Sequence, residues 1–289
     1  MSQLICEAEQ RHGIENKDIV VIFDAAPEAA AKEVMAIYPA IRAELETLLG
    51  WQCRFRPVIV LIKDEDIFQK MAGHDLFVAF AVSRKNHIVI DYSKMGMDPF
   101  TLEITLKHEL CHLLLHYHIQ KADLPRWLDE GVAQWVCGGI SELLTAKKES
   151  LLDEAVLTGN YIPFRSLTYR FPMEKRGLIL AYNQSRSMVT YITETFGESS
   201  LLKILAYLKA GDDADTAIQK SLFMSFQALE AKWYETVKKR TSWFVYAAIH
   251  IYDILFFLSA LTAVIGFVKL SVRKKRYKDE DDEDDENDF

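Results

Sequence analysis

The sequence predicts an α+β domain in which a small mixed sheet and one long helix precede a helical half, followed by a single apolar helix near the C-terminus. Three features predict it. β-rich runs (19–23, 57–63, 77–82 and 87–92) are confined to the first third of the chain, and apolar residues recur at helical spacing from Pro99 onward. The stretch 243–268 has His250 and Asp253 as its only ionisable residues.

Residues 1–18 read as an N-terminal leader. Ile19–Phe23 is a short strand, and the spacing of Ala30, Val34, Ile37, Tyr38, Ile41, Leu45 and Leu48 predicts a helix from Pro27 to Leu49, stopped by Gly50. PVIVLIK (57–63), 77–82 and HIVIDY (87–92) follow as strands, the last two joined by SRKN as a hairpin connection. Helical spacing returns over Leu102–Tyr117, Pro125–Val136, Tyr182–Phe196, Leu201–Leu208 and Ser225–Lys239, with Gly197 and Gly211 as punctuation. The domain thus divides into an α/β half, 19–120, and a helical half, 121–240.

The run 243–268 is long enough to cross a hydrocarbon core of about 30 Å, with Trp243, Phe244 and Tyr246 as interface anchors at one end. The segment 241–270 is therefore expected to be a single transmembrane helix, rather than a buried core helix. Six bases follow the run and four precede it, which favours a cytoplasmic C-terminus and an extracytoplasmic domain. MSQLICEAEQRHGIENKD carries no basic n-region and no apolar h-region, which leaves two alternatives, an export signal upstream of an internal start at Met1, or the reverse orientation, a C-terminal anchor with the domain in the cytoplasm. The tail 271–289, basic and then acidic, is expected to be disordered and solvated, with partner binding as its alternative role.

Composition narrows the function classes. Half the 289 residues are apolar, and 12 Gly with 7 Pro exclude collagen-like and low-complexity chains. Nine acidic residues in 279–289 account for the net charge of −8; without them the balance is about +1, with no basic stripe to bind nucleic acid. Cys6, Cys53, Cys111 and Cys137 include no CxxC pair, so they provide neither a thiolate zinc site nor a disulfide framework. Cys111 and Cys137 are expected to pack in the core.

Four of the eight histidines fall within 108–118, and His108-Glu109-Leu110-Cys111-His112 matches HExxH. Residues four apart on a helix share a face about 6 Å apart, so both imidazoles can converge on one zinc ion while Glu109 leans over the same point. Zinc lowers the pKa of a coordinated water to near 7, and a carboxylate beside it can take the proton as the water attacks a carbonyl.

Catalytic zinc needs a third protein ligand, for which the sequence offers His116, His118 and Glu130. His116 is eight residues from His108, about 12 Å along the helix axis, too far to share one ion. His118 has the spacing of a three-histidine pattern, but that pattern needs Gly where Leu115 stands. Glu130 lies on its own helix, DLPRWLDEGVAQWV, with Asp123 as expected N-cap and Pro125 in the first turn; seventeen residues after His112 leave room for a turn and an antiparallel return. His₂Glu with an open position is a catalytic zinc set. Asp129 and Gln134 are both within reach as outer partners of a ligating histidine.

HELCH followed by WLDEGVAQWV resembles the gluzincins, and the stretch from about Ile19 to Lys239 resembles the peptidase MA-like family of bacterial zinc metallopeptidases. The resemblance implies a zincin-like fold, one Zn²⁺ per chain on His108, His112 and Glu130, Glu109 as catalytic base, and a peptide or protein substrate. WLDEG is also similar to the corresponding segment of aminopeptidase-N-like enzymes, although this chain has no GxMEN motif for a substrate α-amine. AYNQSRSMVTYI resembles the family's Tyr-containing helix after the second motif. On that basis Tyr182 is the expected oxyanion donor, with Tyr161 and Tyr169 as competitors that spacing does not exclude. HIVIDY resembles the edge strand of zincin folds, which can pair with an extended peptide. The alternative reading is a non-catalytic zinc-binding and interaction module on the membrane.

Overall fold

In the computed structural model, residues 12–24, 28–96, 101–138, 148–241, 248 and 250–285 are described. Trp243, Phe244 and Tyr246, Cys6 with the rest of 1–11, and the last four residues of the acidic tail lie outside them.

The described residues up to Val237 form one compact unit that joins the two predicted halves. Its five-stranded sheet has the order β1-β2-β3-β5-β4, where β1 is His12–Glu15, β2 Val20–Asp24, β3 Val58–Ile62, β4 Ala79–Val82 and β5 His87–Asp91. β2, β3 and β5 run parallel at the centre, and β1 and β4 pair antiparallel at the two edges. The central strands are buried on both faces, which is why they read as continuous apolar runs. Helix α1 (Glu28–Leu49) joins β2 to β3 and buries the stripe Ala30, Val34, Tyr38, Ile41 and Leu45 in the main core. A second, smaller core of Val60, Ile62, Val89 and Phe68 lies under α2 (Glu65–Ala72).

Two strand expectations change. β1 falls within residues assigned to the leader, where its pattern HGIE carries no apolar run to reveal it. HIVIDY is not the edge strand: β5 lies between β3 and β4, and the edge is β4. The hairpin then places the earlier strand outermost, with Asn86 turning the chain in the left-handed region at φ 53°.

The HExxH helix α3 (Leu102–His118) starts at Thr101, whose hydroxyl accepts from the Ile104 amide at 3.2 Å. It is buried on most of its circumference and packs on α1. Next come α4 (Arg126–Val136), α5 (Lys148–Thr158), α6 (Lys175–Phe196), α7 (Glu198–Ala210), α8 (Ala214–Leu222) and α9 (Phe226–Arg240). Trp127, Phe164, Phe226 and Trp233 stack in one aromatic cluster beneath α4, with ring centroids 5.0 to 6.3 Å apart. α6 begins seven residues before the predicted Tyr182, and α2, α5 and α8 were not predicted, α2 and α8 because they are short and α5 because its amphipathic signal is weak.

The second unit begins at Lys238. Its helix α10 (Ile251–Asp285) includes Ile251–Leu270, which has mean hydropathy 2.1, is long and apolar enough to cross a membrane, and has none of its apolar window buried. His250 Nδ1 and Asp253 Oδ2 pair at 3.2 Å where this helix begins. α10 also continues through the basic and acidic residues to Asp285, where the sequence predicted disorder. No Gly or Pro follows Gly266 to break it, and a helix already nucleated extends readily through Lys, Arg and Glu.

Candidate metal centre

α3 supplies two imidazoles to one point, as residues four apart must. His108 Nε2 and His112 Nε2 lie 3.1 Å apart, and Glu130 Oε2 from α4 lies 3.7 Å from the first and 3.6 Å from the second. These three residues are the group whose ligand atoms converge among the described residues. Bonds of 2.0–2.1 Å to a tetrahedral zinc place ligand atoms roughly 3.3 Å apart. The triangle matches that spacing. Glu130 Oε2 is buried and makes no hydrogen bond to the protein, so the arrangement leaves an acceptor aimed at the point where a cation would sit.

Glu130 is held by its other oxygen. Tyr182, on α6, donates its hydroxyl to Oε1 at 3.2 Å, and the Arg126 guanidinium, one turn earlier on α4, forms an ion pair with the same oxygen at 3.2 Å. Arg126 also lies beside the Tyr182 hydroxyl and over the Phe171 ring. Burial opposes the Glu130 charge, but His112, His108 and Arg126 outweigh it and hold the carboxyl well below the usual range.

The far side of the histidine pair is held by Asp129. His112 donates Nδ1–H to Asp129 Oδ1 at 2.7 Å, and His116, one turn further along α3, donates Nε2–H to Oδ2 at 2.9 Å. Of the two outer partners weighed from sequence, Asp129 takes this role. Gln134 instead donates to the carbonyls of Glu130 (3.2 Å) and Tyr182 (3.1 Å), tying α4 to α6. Burial disfavours charge on His112, yet Asp129 and Glu130 hold its imidazole well above the ordinary value. Asp129, buried, is held low by His112 and His116.

α4 reaches this position by two devices that the sequence did not disclose. Asp123 is not its N-cap. Pro125 occupies the cap position, and the first free amides are satisfied from the loop before α6: Arg126 N–H donates to the Thr168 carbonyl at 2.7 Å and Trp127 N–H to that of Leu167 at 3.1 Å. Gln184 fixes that loop by bonding both the amide and the carbonyl of Ile162. The second device is Gly131. A Cβ there would lie 2.6 Å from the Ser185 carbonyl oxygen and 2.6 Å from Val189 Cγ2, so the bare backbone allows α4 and α6 to meet.

A cleft of about 380 Å³ opens over the site, bordered by Glu109, His112, Glu130 and Tyr182 on one side and by the edge strand β4 on the other. Tyr161 packs against Trp233 and Tyr234, and Tyr169 is 81% exposed; neither borders the cleft. His118 points away, donating Nε2–H to the Gln52 carbonyl at 2.9 Å and stacking on Trp51. Cys111 and Cys137 are buried thiols outside any disulfide, Cys137 Sγ donating to the Ile104 carbonyl at 3.6 Å, and burial pushes the Cys111 thiol up. Neither Arg126 nor His116, rejected above as a ligand, was expected to support the site; the i, i+4 spacing of Arg126 to Glu130 and of His116 to His112 was the signal available.

Among solved structures the chain is similar to the aminopeptidase A of Legionella pneumophila crystallised with aspartic acid (12% identity, 78% of this chain and 28% of that one, TM-score 0.46). It is also similar to a mutant M1 zinc metallopeptidase of Deinococcus radiodurans (12% identity, 81% of this chain and 52% of that one, TM-score 0.44). The chain therefore spans about a quarter of the first and half of the second. No curated protein gives a match. The family model of the Peptidase MA superfamily matches residues 68–239, which include both motif helices and α6, and the chain belongs to that superfamily.

Proposed function

We propose that this protein is a membrane-anchored zinc metallopeptidase that hydrolyses peptide bonds. The observation that carries the reading is the convergence of His108, His112 and Glu130 beside a cleft that His112 and Glu130 border together with Glu109 and Tyr182. Zinc held by these three residues would supply a Lewis acid that brings the pKa of a water toward 7 and polarises the scissile carbonyl. Glu109, buried between the histidines, takes a proton from the attacking water and delivers it to the leaving amine. Tyr182 donates its hydroxyl to the developing oxyanion. That hydroxyl can leave Glu130 because Arg126 continues to satisfy Oε1.

Among the described residues β4 is the outermost strand on its side of the sheet and borders the cleft, and an extended peptide can lie along it as an added strand. Ile251–Leu270 serves as the anchor, supported by its length, hydropathy and lack of burial. The excess of bases after it favours a cytoplasmic C-terminus with the peptidase domain on the opposite side. The test is Glu109→Gln in the full chain in detergent, assayed on a peptide library by mass spectrometry beside elemental zinc analysis. Hydrolysis should fall roughly 10²- to 10⁴-fold with zinc content unchanged. Hydrolysis at the parent rate would remove Glu109 from the mechanism.

A further inference from the structure

We propose that His116 is a positioning residue for the metal centre: it locks the Asp129 carboxylate, and through it the ring of His112, and thereby sets the affinity for zinc. This rests on the zinc reading above and extends it to a residue outside the ligand set. The geometry is a chain of two hydrogen bonds through one carboxylate, His112 Nδ1–H to Oδ1 at 2.7 Å and His116 Nε2–H to Oδ2 at 2.9 Å. A carboxylate bonded at one oxygen alone can still turn about its Cβ–Cγ bond. Bonded at both, it cannot turn without breaking one of them. Because Asp129 precedes Glu130 on α4, while both histidines lie on α3, the same carboxylate braces the two ligand-bearing helices where their ligands meet.

The two histidines are not equivalent. His112 is buried, with Nε2 turned to the ligand triangle, whereas the His116 side chain is 40% exposed and borders the cleft. His116 is thus the outer end of the chain. Without its N–H, Asp129 Oδ2 faces water and the carboxylate regains the rotation that lets His112 drift. Partners of this kind typically alter metal affinity 10- to 100-fold. Since His116 acts at one remove, the loss is expected at the lower end.

The test uses the full chain in detergent, loaded with Zn²⁺ in competition with a chromogenic chelator, for the parent, His116→Leu and His116→Gln. Leu fills similar space without a donor, and Gln presents an amide N–H close to where Nε2 stands. His116→Leu should weaken zinc binding about 10-fold, and His116→Gln should recover most of the loss, with the Tm of the chelator-treated protein recording the fold separately. Parent-like affinity in His116→Leu would overturn the proposal, as would equal losses in both variants, which would mean that the ring rather than its N–H matters. A parent that takes up no zinc would instead overturn the zinc reading itself.

Discussion

On α3, His108 and His112 face one point because residues four apart share a face, and any helix carrying HELCH would present them together. On α4, Glu130 reaches the same point only because distant residues place the whole helix there: Gly131 against Ser185 and Val189, the Leu167 and Thr168 carbonyls at its first turn, and Gln134 across to α6. Half of the candidate metal centre is thus local geometry, and the other half is packing between elements some fifty residues apart. Changes to the packing beneath α4 should therefore dismantle the site while leaving HELCH intact.

Gly131→Ala is the strongest break in that contrast. The added methyl meets a backbone oxygen that cannot step aside, so α4 must shift. Overpacking of this kind costs up to about 3 kcal/mol, which for a unit of this size lowers Tm by on the order of 10 °C. Zinc affinity should fall with it, since Glu130 moves with the helix, and thermal unfolding with zinc titration reads both effects. A parent-like Tm and zinc affinity would mean that the Gly131 contact does not place Glu130.

The metal-free protein gives a second, graded test. Asp129 and Glu130 are held below their ordinary values, so their contribution to stability is present above about pH 4.5 and is lost as the pH falls through their folded values. His112 is held above 6.5, so its contribution is complete below that pH and disappears as the pH rises through its raised value. In chelator, Tm should therefore be highest between about pH 4.5 and 6.5 and decline on both sides. Zinc displaces the His112 proton, and its affinity should rise with pH through the same upper limb. A flat profile in chelator from pH 5 to 9 would contradict the buried ion network.

The smallest effect belongs to the locally determined helix. Lys107 of α3 pairs with Glu44 of α1 at 2.6 Å, with Glu44 largely exposed. Glu44→Gln should cost less than about 1 kcal/mol and leave zinc binding unchanged. A loss of zinc in this variant would show that α3 also depends on its packing to present the ligands.

The same contrast explains what could be read from the sequence. HELCH and WLDEG each announce their residues because spacing and helix geometry are encoded within a few positions. Asp129 as the partner of His112 was only one of two options, because the choice depends on the rotation of α4 about its axis. Asp123 looked like a helix cap, but carbonyls some forty residues downstream satisfy the first turn instead. The edge strand was assigned to β5 because it is next in sequence to α3, but sheet order follows from the hairpin folding β4 outward. In each case the missing information was a contact between segments remote in sequence.

The central claim is that His108, His112 and Glu130 together hold one zinc ion, and elemental analysis of the purified full chain tests it most directly. The parent should carry one zinc per chain, with near-complete loss in both His112→Ala and Glu130→Ala. Zinc absent from the parent, or retained after Glu130→Ala, would contradict the ligand set and with it the peptidase mechanism built on it.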